Sequence, residues 1–293
     1  MNVRTLAVAA GPRRAATHPT IALALGGGGA RGLAHIAVLE ALDDLGLRPS
    51  IIAGTSLGAV VGAAYAAGIS GADLRAHVLA LLRDRSDVMA RLLKARVGRF
   101  ADLLAGRMGN PVMIDGEIFL DHFWPKEVPD RFEALQIPLI VLATDFQGRR
   151  EVALESGPLA PAVAGSMAMP GLVKPVAAHG MMLLDGGATN PLPFGHLIGK
   201  ADIVIACDVT GGPVAEGAVA MPKPFESMFG CAQIMMATIT AQMLRTAPPD
   251  ILIRPPVDNF KALDFFKARQ ILDAAAGAKE EIRHGIEARL ALG

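Results

Sequence analysis

Short apolar runs separated by glycine-rich turns dominate the first part of the chain. The run IALAL at residues 21–25 leads into four glycines, and SIIA at residues 50–53 leads into the pentapeptide GTSLG. Compact runs of this kind are typical of strands buried on both faces of a parallel sheet. Residues 31–46 carry apolar side chains at helical spacing and end in glycine, which predicts an amphipathic helix. Residues 59–68, rich in small side chains, predict a second helix, so the chain opens with a βαβα unit.

The same patterns predict the later elements. Apolar runs indicate further strands at residues 137–144, 181–184 and 201–208. A helical period indicates helices over residues 73–104, 225–244 and 264–290, the first being an arginine-rich insertion that covers the surface. We therefore expect an α/β protein with a three-layer α/β/α fold and a mostly parallel central sheet. One large domain would span residues 20–290, preceded by a flexible tail over residues 1–19.

Composition narrows the function classes. Hydrophobic residues make up 52% of the 293 residues and aromatic residues only 4%, so the core must be aliphatic and disorder of the whole chain is excluded. Lys and Arg together number 28, as do Asp and Glu, which leaves no basic excess to neutralise a phosphate backbone. A nucleic acid partner is therefore not expected.

A mean hydropathy of +0.40 raises the question of a membrane span. The longest uncharged run, residues 49–72, is long enough to cross a bilayer, but glycine, serine and threonine interrupt it, and we interpret it as part of the α/β fold. The apolar stretch near residue 8 is too short for a secretory signal. Cys207 and Cys231 are too few for a disulfide framework or a zinc cluster, and we interpret both as buried thiols in a reducing compartment. We therefore expect a cytoplasmic location, with peripheral association at the inner membrane surface as a second option.

The glycine-rich turn after the first strand is the first candidate site. Residues 26–32, GGGGARG, contain G-x-G-x-x-G at the expected start of a helix, where backbone N–H groups attract an anion. A dinucleotide site would require an acidic residue at the end of the second strand, where this chain has AGTS, and a Walker loop would require Gly-Lys-Ser/Thr. Alone, the motif is also compatible with a plain strand-to-helix turn.

The second candidate, GTSLG at residues 54–58, places Ser56 between an apolar strand and a helix of small residues. This is the context of a nucleophile elbow, in which a serine on a sharp turn exposes its hydroxyl at the top of the sheet. Gly54 and Gly58 are needed there because side chains would collide with the neighbouring strand and helix. Since adjacent parallel strands end at one edge of a sheet, the glycine-rich turn should face Ser56, as acyl transfer requires.

A nucleophilic serine also needs a base. The usual α/β-hydrolase order ends with a histidine in a late loop, for which His179, His196 and His284 are available. None of them follows a strand in a glycine-marked turn, whereas Asp185 does, in LLDGG. A Ser/Asp dyad without histidine is chemically possible when the carboxylate is partly desolvated, because desolvation raises its basicity. An isolated Asp-Gly-Gly, however, is more often a β-turn.

The three motifs occur together, in this order, in patatin-like phospholipases, and the chain resembles that family. The match consists of GGGGARG at residues 26–32, GTSLG at residues 54–58 and DGG at residues 185–187. It extends through ARGLAHIAVLEAL, ATDFQGRREVALESG, AVAGSMAMPGLVKPV and DGGATNPLP, and covers about residues 20–290. Within the family the resemblance is closest to the bacterial, cytoplasmic branch.

The resemblance implies a role for each motif residue. Ser56 would be the nucleophile and Asp185 its general base. The backbone N–H groups of three glycines would form the oxyanion hole, namely Gly27, Gly28 and Gly29. The remaining motif glycines would shape the turns: Gly32, Gly54, Gly58, Gly186 and Gly187.

Other residues inside the motifs have less specific roles. Arg31 and Asn190 are candidate substrate contacts, and for Arg31 two roles stay open, pairing with a lipid phosphate or capping local carboxylates. We interpret Ser166 and His35 as structural.

The implied activity is hydrolysis of fatty-acyl ester bonds in phospholipids or lysophospholipids through an acyl-enzyme, with a lipid ester as substrate and no metal or organic cofactor. A non-lipid carboxylesterase or thioesterase with the same dyad is one alternative, and a non-catalytic module that binds an acyl chain is another. The charge-poor, methionine-rich residues 225–244 are open to two interpretations, either core or a lipid-facing element that forms the acyl-chain pocket or a transient membrane contact.

Overall fold

The computed structural model of the protein describes residues 19–97, 113–212, 221 and 224–291. Its strands are β1 (Ile21–Leu25), β2 (Ile51–Thr55), β3 (Arg96–Val97), β4 (Met113–Ile114), β5 (Leu139–Asp145), β6 (Arg150–Leu154), β7 (Val176–Ala178), β8 (Met181–Asp185), β9 (Ile203–Cys207) and β10 (Ile251–Ile253). Its α-helices are α1 (Ala34–Asp44), α2 (Leu57–Ala66), α3 (Gly71–Leu81), α4 (Arg85–Lys94), α5 (Gly116–Phe123), α6 (Leu159–Ser166), α7 (Pro224–Thr246), α8 (Ala268–Ala274) and α9 (Ala278–Ala291). The tail expected over residues 1–19 lies almost entirely outside the described residues.

Eight strands form a mixed, mostly parallel central sheet. The hydrogen-bonded order is β10-β9-β1-β2-β5-β8-β7, and β6 also pairs with β5. Neighbours from β10 to β5 run parallel, whereas β6 and β8 run antiparallel to β5 and β7 runs antiparallel to β8. The α/β class and the mostly parallel sheet predicted from the sequence are therefore confirmed.

Alternate residues of the central strands point to opposite faces of the sheet. On one face, Leu23 of β1 belongs to the larger core cluster, together with residues of α1, α2, α6, α8 and α9. On the other face, Ala22 and Ala24 pack against the 3₁₀ turn Pro193–Leu197, and Leu244 of α7 joins this smaller cluster. The small alanine side chains let the turn lie close to the sheet.

Two predicted helices are divided in the structure. In the insertion over residues 73–104, α3 and α4 each start at a polar residue, Ser70 and Asp84, whose side chains accept hydrogen bonds from backbone N–H groups of the first turn. Residues 98–104 of this insertion lie outside the described residues. Near the C-terminus, the 3₁₀ turn Ala275–Gly277 separates α8 from α9. No helix of the described residues combines the length and hydropathy needed to cross a membrane.

The ends of β2 and β8 meet beside β5. Leu142 pairs with both β2 and β6, and Ala143 pairs with both β6 and β8. Because a strand residue has one partner on each side, β2 and β8 must share one edge of β5. They run in opposite directions along it, so their carboxyl ends approach head to head. Thr55 pairs with Leu142 and Asp185 with the adjacent Ala143, which brings the turns after both strands together.

Candidate active site

Ser56 forms the turn between β2 and α2. Its backbone has φ +54° and ψ −124°, a conformation that non-glycine residues rarely adopt and that stores strain. The strand ends at Thr55 and the helix starts at Leu57, so one residue makes the whole connection. This is the sharp strand-to-helix turn that GTSLG predicts.

Close packing explains the glycines on either side of Ser56. A Cβ atom on Gly54 would lie 2.6 Å from the Cα of Ala59 in α2. A Cβ atom on Gly58 would lie 2.6 Å from the carbonyl carbon of Leu25 in β1. Both distances are below those of real side-chain contacts, so the collisions expected from the sequence are present in the structure.

Asp185, the last residue of β8, is the hydrogen-bond partner of Ser56. The Ser56 Oγ donates to Asp185 Oδ2 at 2.8 Å, and Asp185 Oδ1 accepts from the backbone N–H of Gly187 at 2.8 Å. The side chain is 2% exposed, and this burial raises the pKa of Asp185 to about 6, against the opposing effect of the two hydrogen bonds. Such a carboxyl group is mostly ionised near pH 7 and is a stronger base than an ordinary aspartate.

The two glycines after Asp185 allow this approach. A Cβ atom on Gly186 would overlap the carbonyl oxygen of Leu142 in β5. A Cβ atom on Gly187 would lie 2.9 Å from Asp185 Oδ1 and 2.6 Å from the Cε of Met236 in α7. The turn over residues 185–187 therefore packs between β5 and α7.

The glycine-rich turn faces Ser56, but not all of its N–H groups are free. The N–H of Gly27 donates to the carbonyl oxygen of Pro191 at 2.8 Å. The N–H groups of Gly28 and Gly29 have no acceptor among the described residues, and both glycines line the same pocket as Ser56. The expectation of three free donors is therefore not met, because the Gly27 N–H already closes the turn.

Gly28 and Gly29 are required for different reasons. Gly29 has φ +61°, in the left-handed region that favours glycine. Gly28 has φ −179°, outside the left-handed region, but a Cβ atom there would overlap the backbone carbonyl oxygen of Val209. A Cβ atom on Gly32 would lie 3.0 Å from the Cβ of Leu57, so the turn packs directly against the residue that follows Ser56.

The guanidinium of Arg31 is buried and donates hydrogen bonds to backbone carbonyl oxygens. Its Nε donates to Val209 at 3.2 Å, one terminal nitrogen to Thr210 at 2.5 Å, and the other to Gly212 at 3.3 Å and Phe260 at 3.2 Å. The residue is 1% exposed, and burial lowers the pKa of Arg31, although nearby aspartates oppose this shift. None of these hydrogen bonds is made to a carboxylate, which differs from the capping role. Arg31 also lines the pocket beside Ser56, and its contact with a lipid phosphate stays a prediction.

Asn190 does not line the pocket. Its Nδ2 donates to Glu151 in β6 at 2.9 Å, and its backbone carbonyl accepts from the Thr55 hydroxyl at 2.8 Å. The side chain therefore fastens the segment after the DGG turn to the sheet. This differs from the substrate contact that the motif suggested.

The candidate histidines lie away from Ser56. His179 is exposed in the β7–β8 turn, His196 is 3.1 Å from a carboxylate oxygen of Glu151, and His284 lies in α9. No histidine is among the described residues that line the pocket. Asp185 is thus the titratable group that the structure places against the serine.

Two buried polar residues have contacts that the motifs did not reveal. Ser166, at the end of α6, accepts a hydrogen bond from the Ser56 backbone N–H at 2.9 Å and donates to the Leu142 carbonyl at 2.5 Å. The Nε2 of His35 donates to the carbonyl of Gly26 at 2.8 Å, and burial lowers the pKa of His35 to about 4, so the ring is neutral. A lone polar residue in an otherwise apolar run was the available sequence signal for Ser166.

The pocket in front of Ser56 is mostly apolar. Its hydrophobic lining comes from Leu57, Met167, Met169, Leu172, Val173, Phe229, Met236, Ala262, Leu263 and Phe265. In α7, Met236 is buried and lines the pocket, whereas Met228 and Met235 are exposed. The lipid-facing role of residues 225–244 stays a prediction. Cys231 is also exposed, contrary to the expectation of two buried thiols. A serine, a buried carboxylate and two free N–H groups beside an apolar pocket can transfer an acyl group.

Comparisons with known proteins identify a family and relatives of similar sequence. The model of the patatin-like phospholipase family matches residues 23–198, more than half of the chain. An uncharacterized NTE family protein of Mycobacterium tuberculosis is 37% identical over 211 residues, which cover 72% of this chain and 54% of that protein. A lysophospholipase NTE1 of Kluyveromyces lactis is 29% identical over 277 residues, covering 86% of this chain and 18% of that protein. The chain thus spans about half the length of the mycobacterial relative.

The similarity of the chain to solved structures is low. VipD from Legionella pneumophila has a TM-score of 0.41 and 16% identity, covering 89% of this chain and 68% of that one. Human GIVD cytosolic phospholipase A2 has a TM-score of 0.41 and 12% identity, covering 94% of this chain and 60% of that one. The family model matches more than half of the chain, which shows that the chain belongs to the patatin-like phospholipase family.

Proposed function

We propose that the protein is a serine acyl hydrolase that cleaves fatty-acyl ester bonds of phospholipids or lysophospholipids through Ser56 and Asp185. The observation that carries the proposal is the 2.8 Å hydrogen bond from the Ser56 hydroxyl to a buried carboxylate at the edge of an apolar pocket. Family membership and the relative named lysophospholipase support the choice of a lipid ester.

In the acylation step, the Ser56 Oγ attacks the ester carbonyl carbon while its proton moves to Asp185 Oδ2. Collapse of the tetrahedral intermediate breaks the ester bond, and the protonated Asp185 returns the proton to the leaving alcohol. In the second step a water molecule gives its proton to Asp185 and attacks the carbonyl carbon of the acyl-enzyme. The bond to the Ser56 Oγ then breaks, Asp185 returns the proton to this oxygen, and the fatty acid leaves. One carboxylate serves both steps because its raised pKa suits it to accept and to release a proton.

The N–H groups of Gly28 and Gly29 are the proposed oxyanion donors. Both are free among the described residues and border the pocket next to Ser56. They lie at the start of the 3₁₀ turn Gly29–Leu33, which continues into α1, so the developing negative charge also meets the amino end of a helical segment. Gly27 has a supporting role, since its N–H fixes the turn through Pro191.

The apolar lining of the pocket supports a lipid ester, in preference to a small polar ester, as the substrate. Met167, Met169 and Leu172 form one part of the wall and Phe229 and Met236 of α7 another. Such flexible side chains suit an acyl chain whose length and shape vary. We further propose that residues 20–290 act as one patatin-like domain, because core residues from β1 to α9 belong to a single hydrophobic cluster.

A labelling experiment combined with a lipid panel tests the proposal. Wild type, Ser56→Ala and the matched Ser50→Ala protein are treated with a fluorophosphonate probe, and then with phospholipids and lysophospholipids whose released fatty acid is measured by mass spectrometry. We expect labelling and release for wild type and Ser50→Ala and neither for Ser56→Ala. Labelling with release only from short water-soluble esters or thioesters would favour the non-lipid esterase. Acyl-chain binding without labelling would favour the non-catalytic module.

A further inference from the structure

The outer face of α7 lacks the charges expected of a helix in water. Between residues 227 and 244 the helix carries no Asp, Glu, Lys or Arg. On this face Met228 is 51% exposed, and Ile234 and Met235 are each 56% exposed. By contrast, the exposed face of α9 carries ion pairs such as the one between Arg283 and Glu280. The composition of the outer α7 face therefore indicates a non-aqueous neighbour.

This face adjoins the mouth of the pocket. Phe229 and Met236 line the pocket, and each directly follows an exposed methionine of this face, Met228 or Met235. Leu263 lines the pocket from a different segment while remaining 44% exposed. Close to Leu263, Phe266 is 39% exposed and lies under the guanidinium of Arg85, at 4.9 Å from the ring centroid. Exposed apolar side chains thus lie on two segments that also line the pocket, and the cation of Arg85 lies beside one of them.

We propose that these side chains form a docking face for a lipid–water interface, defined by Met228, Ile234, Met235, Leu263 and Phe266. The proposal rests on the proposed function, since it explains how an acyl chain would reach Ser56 from an aggregated lipid. Methionine and aromatic side chains with a neighbouring cation suit the boundary between head groups and acyl chains. A second copy of the chain seated on the same face would close the pocket mouth, so a lipid surface is the occupant that fits the position.

Vesicle binding tests the docking face directly. The Ser56→Ala protein keeps the vesicles intact, and in this background Met235→Glu and Met228→Glu are compared by co-sedimentation with phosphatidylcholine vesicles. Ile198→Glu is the matched control, because Ile198 is 50% exposed and lies away from the site. It is followed closely in sequence by Asp202, whose N–H donates to the carbonyl of Thr20 at the amino end of β1, the end opposite the site. We expect each α7 variant to lower the fraction bound by about tenfold or more, since a charge is excluded from the apolar layer, and the control to bind like its parent.

Activity on two substrates separates docking from catalysis. In the active protein, Met235→Glu should retain wild-type turnover of a short, monomeric ester and lose most hydrolysis of vesicle phospholipid. Equal loss on both substrates would overturn the docking face. If the wild type hydrolyses neither substrate and takes no fluorophosphonate label, the proposed function fails, while the vesicle-binding result still decides the docking face.

Cys231 supplies an independent readout on the same helix face. It is exposed, and the other cysteine of the chain, Cys207, is buried, so a maleimide dye attaches selectively to Cys231. We expect brominated phosphatidylcholine vesicles to quench this dye, and not a dye on Ile198→Cys in a Cys231→Ser background. Equal quenching at both positions, or none at Cys231, would overturn the proposal. So would a dimer in light scattering that Met235→Glu dissociates, because the face would then be occupied by a second copy.

Discussion

A single hydrogen bond between two side chains defines the proposed chemistry at the residue scale. Replacing either partner should abolish turnover and leave the fold intact, because Ser56 and Asp185 sit in turns whose shape is set by glycine backbones. We expect Ser56→Ala and Asp185→Asn each to reduce kcat by about 10³-fold or more, and the double variant to be little worse than either single one. Esterase assays with melting curves check this. Near-normal turnover of Asp185→Asn combined with loss in a His179 or His196 variant would instead indicate a histidine triad.

The buried carboxylate also predicts a pH dependence. The pKa of Asp185 is raised from 3.8 to about 6, so the basic form is lost as the pH falls through about 6. The rate of fluorophosphonate labelling should rise with pH to a plateau, with a midpoint near 6. Circular dichroism at each pH distinguishes this change from unfolding.

The same pKa shift has the opposite effect on the free energy of unfolding, which should fall as the pH rises. A folded-state pKa above the unfolded value stabilises the folded protein below about pH 4, and this contribution is lost as the pH rises through about 6. Asp185→Asn should remove that part of the pH dependence of unfolding.

Ser166 is a positioning residue for the strained turn. Its hydroxyl holds the Ser56 N–H and the Leu142 carbonyl, which connects the turn to β5. Ser166→Ala should lower kcat by about tenfold with little change in KM. The variant leaves the buried Ser56 N–H without an acceptor, which costs about 1–3 kcal/mol in free energy, and the turn can relax away from its active conformation. Ser166→Thr, which keeps the hydroxyl, should restore part of the rate, and Ser50→Ala, at the amino end of β2, should change neither constant. A loss of melting temperature with normal kcat per folded molecule would contradict this role.

At the scale of elements, the glycine-rich turn between β1 and α1 holds the proposed oxyanion donors. A Cβ atom on Gly28 would meet the Val209 backbone, so Gly28→Ala must displace either the donors or the segment after β9. We expect kcat per folded molecule to fall by about 10²–10³-fold, the usual effect of losing one oxyanion donor. Gly195→Ala is the matched control, since nothing lies within 4 Å of a Cβ atom there and its φ is not in the left-handed region. Normal turnover with a large loss of stability would make the turn purely structural.

Local sequence patterns predict most elements and the turns that connect them. The run at residues 21–25, the helix that follows and the GTSLG turn are all specified by neighbours in sequence, and the structure contains each of them. The helix predicted over residues 225–244 corresponds closely to α7 (Pro224–Thr246). The helices predicted over residues 73–104 and 264–290 are divided in the structure, the second by the 3₁₀ turn Ala275–Gly277. The spacing of apolar residues predicts which face of a helix is buried, but it does not predict where one helix ends and the next begins in a new direction.

At the scale of the whole molecule, the site depends on pairings that no local pattern contains. Asp185 reaches Ser56 because β8 runs antiparallel to β5 along the edge that β2 also uses. An apolar run predicts a strand, but it does not predict whether that strand pairs parallel or antiparallel, or with which neighbour. The sequence therefore indicates that Asp185 ends a strand and leaves its neighbours undetermined. The occupied N–H of Gly27 has the same origin, since its acceptor, Pro191, is more than 160 residues away. The motifs identify the reacting groups, and the topology decides which of them are free.

Arg31 connects three distant parts of the chain around the pocket. Its guanidinium joins the glycine-rich turn to the segment after β9 and to Phe260, and its carbonyl partners would lose their donor in Arg31→Met. We expect this variant to lose about 2–5 kcal/mol of unfolding free energy, measured with denaturant. Arg254→Met is the control from the same region, because the Arg254 side chain is 59% exposed and its ion pair with Asp208 contributes little. Wild-type stability of Arg31→Met, with a loss of activity confined to phosphate-bearing lipids, would instead assign Arg31 to the recognition of a lipid phosphate.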